Sequence, residues 1–157
     1  MDNSSAAAAA GLGALIATLG VFSFVIAAVW YVLQVIAYWK IFAKAGKPGW
    51  HSIIPILNQW DEVDLSWNRT MAWVFIIVAI AAGILSNSVN NGEASGFMMG
   101  ALWVLTVAAC VIGIINNYKL AKAFGKGIGF FLGLVFLNPI FKLILGFGDA
   151  QYQGRQG

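Results

Sequence analysis

Charge is scarce in this 157-residue sequence: 10% of its residues are Asp, Glu, Lys or Arg, against about 25% in soluble globular proteins. Hydrophobic residues make up 61% of the chain, more apolar surface than a water-soluble core of this size can hide. Cysteine is almost absent. Cys110 is the only one and lies in an apolar tract, which excludes an intrachain disulfide and leaves a thiolate or metal-ligand role without partners, so it is expected to be a small buried hydrophobe. His51 is the only histidine, with the nearest acids ten or more residues further on, so no metal-ligand spacing is present and His51 reads as an interfacial polar residue. No basic residue precedes Lys40, and the first apolar tract, 12–39, has 28 residues. That is the wrong front and too long a core for a secretory signal, which predicts a retained helix.

What the sequence does have is long, nearly uncharged apolar tracts recurring along its whole length. They predict an all-α integral membrane protein, a single membrane domain of four transmembrane helices, with spans at about 12–39, 70–86, 97–115 and 128–148. Trp30, Tyr31, Tyr38 and Trp39 close the first span as an aromatic belt would. The connections 40–69 and 116–127 carry Lys40, Lys44, Lys47, Arg69, Lys119, Lys122 and Lys126, whereas 87–96 has no lysine or arginine. Basic loops are retained in the cytoplasm, so 40–69 and 116–127 are placed inside, and both termini and the Glu93 loop outside, with a polar tail at 149–157. The fourth tract is irregular because Asn138-Pro139 breaks the helical ladder and Lys142 puts a charge among apolar residues. A kinked span, with Lys142 reaching back to the interface, is the first reading. A re-entrant hairpin, returning the tail to the cytoplasm, is the second.

The connection 40–69 is itself rich in apolar side chains. Ile56, Trp60, Val63 and Trp67 recur at helical spacing, which predicts an amphipathic cytoplasmic interfacial helix between spans 1 and 2, broken at Pro55. Trp50, Trp60 and Trp67 are its candidate docking residues. Asp61, Glu62 and Asp64 would form its wet face rather than an acid–base pair.

The remaining candidates are weighed in the same way. Lys40, Lys44, Lys47, Lys122 and Lys126 are candidate contacts for lipid headgroups; the formal charge of +3 is not gathered on one face, so membrane lipids and not nucleic acid are the expected counter-charge. Gly129 and Gly133, four apart, suit close helix packing, and no strand or Walker lysine accompanies them to make a phosphate loop. Gln34, Thr106, Asn116, Asn117, Asn138 and Lys142 would mark a solute or ion path if they lined one cavity, Asn138 and Lys142 foremost. No nucleophile–base pair, metal set or cofactor motif is visible, so the reading is of a protein that is not an enzyme and carries no cofactor.

The string Trp39 to Trp50, WKIFAKAGKPGW, followed by Ile54-Pro55-Ile56-Leu57-Asn58, resembles the signature of an uncharacterised family of small multi-span bacterial membrane proteins. The resemblance continues over Leu120 to Phe130 and at Gly146-Phe147-Gly148. The same pattern is similar to the membrane portion of some proteins called signal peptidase I. That enzyme uses a serine nucleophile and a lysine base in a soluble domain for which this chain has no space. The resemblance implies a multi-pass protein of the bacterial cytoplasmic membrane. AKAGK at 43–47 and AKAFGK at 121–126 also echo one another, as two parallel repeats or as two similarly capped helix ends would. The function expected from all this is association, as a homo-oligomer or as an accessory subunit of a larger membrane complex. The alternative is an oligomeric channel or small transporter.

Overall fold

A computed structural model describes residues 3–92 and 95–156. They form six α-helices: α1 (Asn3–Lys44), α2 (Pro55–Ser66), α3 (Arg69–Asn90), α4 (Gly96–Ala123), α5 (Ile128–Phe136) and α6 (Asn138–Phe147). A short 3₁₀ turn, Gly49–Ile53, precedes α2. Three helical stretches are long and apolar enough to cross a membrane: Ala10–Lys44, Arg69–Asn90 and Gly96–Ala123. The polar connection expected over 87–96 is shorter than its composition suggests, because α3 runs on to Asn90; Glu93 and Ala94 lie outside the described residues.

The chain divides into two compact units, Met1–Gln34 and Val35–Gly157. In the first, every residue from Ala10 to Leu33 is exposed. The hydroxyls of Thr18 and Ser23 turn back onto their own helix, Thr18 donating to the Ala14 carbonyl at 2.8 Å and Ser23 to the Leu19 carbonyl at 2.5 Å. A polar group satisfied in this way can face hydrocarbon without an unpaired donor.

The second unit holds the core, in which Ile41 and Phe42 of α1 pack with Leu65, Leu120, Phe124, Leu134 and Leu145. Local chemistry sets its helix ends. Asn68 caps α3 by accepting from the Met71 amide at 2.8 Å, and Ser95 caps α4 by accepting from the Met98 amide at 3.3 Å. The two echoed basic strings end α1 and α4 in the same manner. Gly46 (φ +72°) and Gly125 (φ +64°) adopt the left-handed conformation, and the amides of Lys47 and Lys126 each reach back to the carbonyls of Phe42 and Ala121 at 2.8 Å. These are two Schellman caps, a backbone geometry that glycine adopts without strain. Cys110 is exposed on α4, not buried, because its face of the helix turns outward from the unit.

The fourth tract departs from the single kinked span. It is two helices of 9 and 10 residues separated at Leu137, each about 15 Å long and so half of a hydrocarbon core of about 30 Å. They pack antiparallel, with the Phe130 and Phe141 rings 5.1 Å apart and Asn138 Nδ2 donating to the Leu134 carbonyl at 2.9 Å. Gly133 makes this possible, since a Cβ there would overlap the Phe141 ring; Gly129, expected to share the role, faces open space. The hairpin brings the tail back to the end where α1 and α4 terminate. Lys44 Nζ donates to the carbonyls of Leu145 and Gly148 at 2.7 and 2.6 Å, and the Gln153 amide donates to the Ala123 carbonyl at 2.7 Å. The tail therefore packs against the lysine-rich connections rather than extending from the opposite end.

Candidate functional site

The most chemically dense part of the second unit is the C-terminal half of α2, where Asp61 through Ser66 are all buried. Asp61, Glu62 and Asp64 are exposed by only 1%, 3% and 1%. This reverses the wet face expected of them. A carboxylate can leave water only where cations and donors meet it, and here other segments of the unit supply those partners.

Asp61 and Asp64 are three residues apart and share one side of α2. Lys47 Nζ lies between them, 2.5 Å from Asp61 Oδ1 and 2.6 Å from Asp64 Oδ2. His51 Nδ1 meets the other oxygen of Asp61. Arg155, from the tail, places Nη2 2.9 Å from Asp64 Oδ2. Tyr152 fastens the tail beside it by donating to the Leu65 carbonyl at 2.7 Å. Burial raises the Tyr152 phenol above its ordinary range, against the pull of the Arg155 guanidinium, so it remains a donor at neutral pH.

Glu62 is turned about 100° around the helix from Asp61 and faces a second set of partners. Lys142 Nζ of α6 is 2.9 Å from Glu62 Oε2 and also donates to the Tyr38 hydroxyl. The Tyr38 hydroxyl donates to the same carboxylate oxygen at 2.9 Å, and Asn116 Nδ2 of α4 donates to Oε1 at 3.2 Å. The Ser66 hydroxyl then donates to Asn116 Oδ1. Four helices thus converge on one carboxylate. Lys142 is 6% exposed, so it is paired in the interior instead of reaching to the interface.

The other sequence candidates fall into three groups. Lys44 and Lys47 are committed to internal partners, whereas Lys40 sits 4.4 Å from the Phe147 ring, Lys122 5.8 Å from Tyr118 and Lys126 6.0 Å from Phe130, with Lys40 and Lys122 exposed. Trp50 is half exposed, Trp60 packs edge-on against Trp73 at 6.1 Å, and Trp67 carries Lys119 at 4.8 Å over its ring. Ile56 and Trp60, at the start of α2, turn toward a groove beside α3, whereas Val63 of the same stripe is buried at 2% exposure with the acids. Asn138 bonds Asn117 and the Leu134 carbonyl, which places it in helix packing. Asn116, a candidate for a solute path, instead bonds Glu62 and Ser66, and Tyr38 and Ser66 were not among the site candidates. Their one sequence signal is Lys142 itself, since a cation in an apolar tract demands a partner.

The arrangement is an ionic clamp: three carboxylates on one short helix gather α1, α4, α6, the 3₁₀ turn and the tail. Among the described residues no group of three or more His, Cys, Asp and Glu is placed to hold a metal ion. No curated protein and no solved structure matches the chain. The segment that matches a family runs over residues 50–155 and so contains the whole of α2 with its acids, Lys142 and Arg155, and by that match the chain belongs to the family of unknown function DUF5684.

Proposed function

We propose that this chain is a non-enzymatic multi-pass membrane protein that acts by association, as a homo-oligomer or as an accessory subunit of a larger membrane complex. The observation that carries this reading is the unbroken exposure of Ala10 to Leu33 on an apolar helix. Gly11, Gly13 and Gly20 on it have nothing within 4 Å, so a partner helix could approach its backbone closely. The second unit supports the same reading in another way. Its buried charges are met by one another, which suits a rigid platform better than a reaction site.

In the bilayer, α1, α3 and α4 cross, and α5–α6 enter and leave from the cytoplasmic side as a re-entrant hairpin. Arg155 then joins the seven basic residues of the two connections on that side, and the N-terminus lies outside. In a bacterial inner membrane, a fluorescent protein fused after Gly157 should fluoresce. A phosphatase that is active only outside the cytoplasm should be silent at the same position, and the opposite pair of results would refute the hairpin.

Association is tested with Cys110→Ala, Gly20→Cys protein in native membranes. Oxidation is expected to trap disulfide-linked copies, or mild-detergent purification to retain a stoichiometric partner. A monomer with neither would end the reading.

A further inference from the structure

Beside the clamp, on the outer side of α2, an apolar groove runs between α2 and α3. Two adjoining hollows form it, about 280 Å³ lined by Ile56, Leu57, Trp60, Trp73 and Ile76, and about 270 Å³ continuing past Phe75 and Ala79 to Ile80. Ile56, Trp73 and Ile80 are more than half exposed, at 61%, 55% and 53%. At the head of the groove stands Arg69, the exposed first residue of α3, its guanidinium carbon 5.6 Å from the Trp60 ring. The carboxylates nearby in sequence are taken by Lys47, His51, Lys142 and Arg155, and Arg69 forms no ion pair among the described residues.

We infer that this groove is a binding site for one anionic phospholipid, an acyl chain lying along α3 and the phosphate held by Arg69. Two features select this occupant. The first is length: Ile80 lies about 16 Å along the helix from Arg69, one leaflet of a core of about 30 Å. The second is charge. A guanidinium without an ion pair, at the interface end of a groove whose lining is apolar but for Gln59, complements a phosphate, whose oxygens it can meet in a bidentate fork. The Trp60 and Trp73 rings stand at the level where tryptophan meets headgroups. The site rests on the chain lying in a membrane but not on self-association, since a monomer would bind the lipid equally well.

Native mass spectrometry of the full chain, released from bilayers of equal phosphatidylglycerol and phosphatidylcholine, tests the site. The wild type should retain phosphatidylglycerol in preference, and Arg69→Gln should lower that preference about five-fold, the weight of one cation at a membrane surface. Ala79→Phe, at an exposed position that fills the groove, should remove the retained lipid whatever its headgroup. Equal retention of both lipids by the wild type would overturn the proposal. So would a preference that survives Arg69→Gln but is lost in Lys122→Gln, which would move the site to the other connection. If Ala79→Phe instead converts a dimer to a monomer with its lipid unchanged, the groove belongs to a second copy and the lipid site is refuted.

Discussion

Replacing Glu62 by alanine should lower the unfolding free energy of the protein in detergent by about 3–5 kcal/mol, because Lys142 would then be left as a buried cation without its counter-charge. The carboxylate is met by Lys142, Tyr38 and Asn116, so its loss leaves several polar groups of α1, α4 and α6 short of a partner at once. Removing both charges, as in Glu62→Leu with Lys142→Met, should cost less than half as much as the single change. Buried ion pairs are expensive to break and close to neutral to replace by apolar groups of similar volume. Thermal or denaturant unfolding of the two variants, read by tryptophan fluorescence, decides the matter. A single-variant loss below about 1 kcal/mol would show that the pair does not hold the hairpin.

The second large effect is expected at Gly146. A Cβ there would lie 2.6 Å from the Ala37 carbonyl oxygen and 2.8 Å from its Cα. Overpacking a core ordinarily costs about 1–3 kcal/mol, because side chains can move aside. Here the obstacle is the backbone of α1, which cannot, so Gly146→Leu should exceed that range. It should also separate α6 from α1 near Lys142, and the loss from Glu62→Ala should be smaller in the Gly146→Leu background than in the wild type. Full additivity of the two changes would mean that Gly146 does not position Lys142.

The three long helices were legible because an apolar window of 18 residues has few alternatives to a spanning helix. Hydropathy was blind to the break in the fourth tract: Ile128 to Gly148 is apolar on both sides of Leu137, and only Asn138-Pro139 marked the place. The helical period of α2 grouped Val63 with Ile56 and Trp60, yet Val63 is buried with Asp61 and Glu62. It could not say which side turns inward. In water the apolar side would, but next to lipid the interior is where charges find partners, and the inference inverts. Those partners lay far off in sequence, with Arg155 separated from Asp64 by 91 positions and Lys142 from Glu62 by 80. Spacing likewise placed Gly129 and Gly133 together, whereas only Gly133 lies under a ring of the opposing helix.

The 80 positions between Glu62 and Lys142 also set an order of events during synthesis. At about 5–20 residues per second, Lys142 is made roughly 4–16 s after Glu62. Throughout that interval α2 carries a carboxylate whose strongest partner does not yet exist, so the helix must keep it in contact with water at the membrane surface. Only the arrival of α6 lets α2 turn its acids inward. A protein that enters the bilayer by hydrophobic insertion would thus complete its assembly by an electrostatic step, made late.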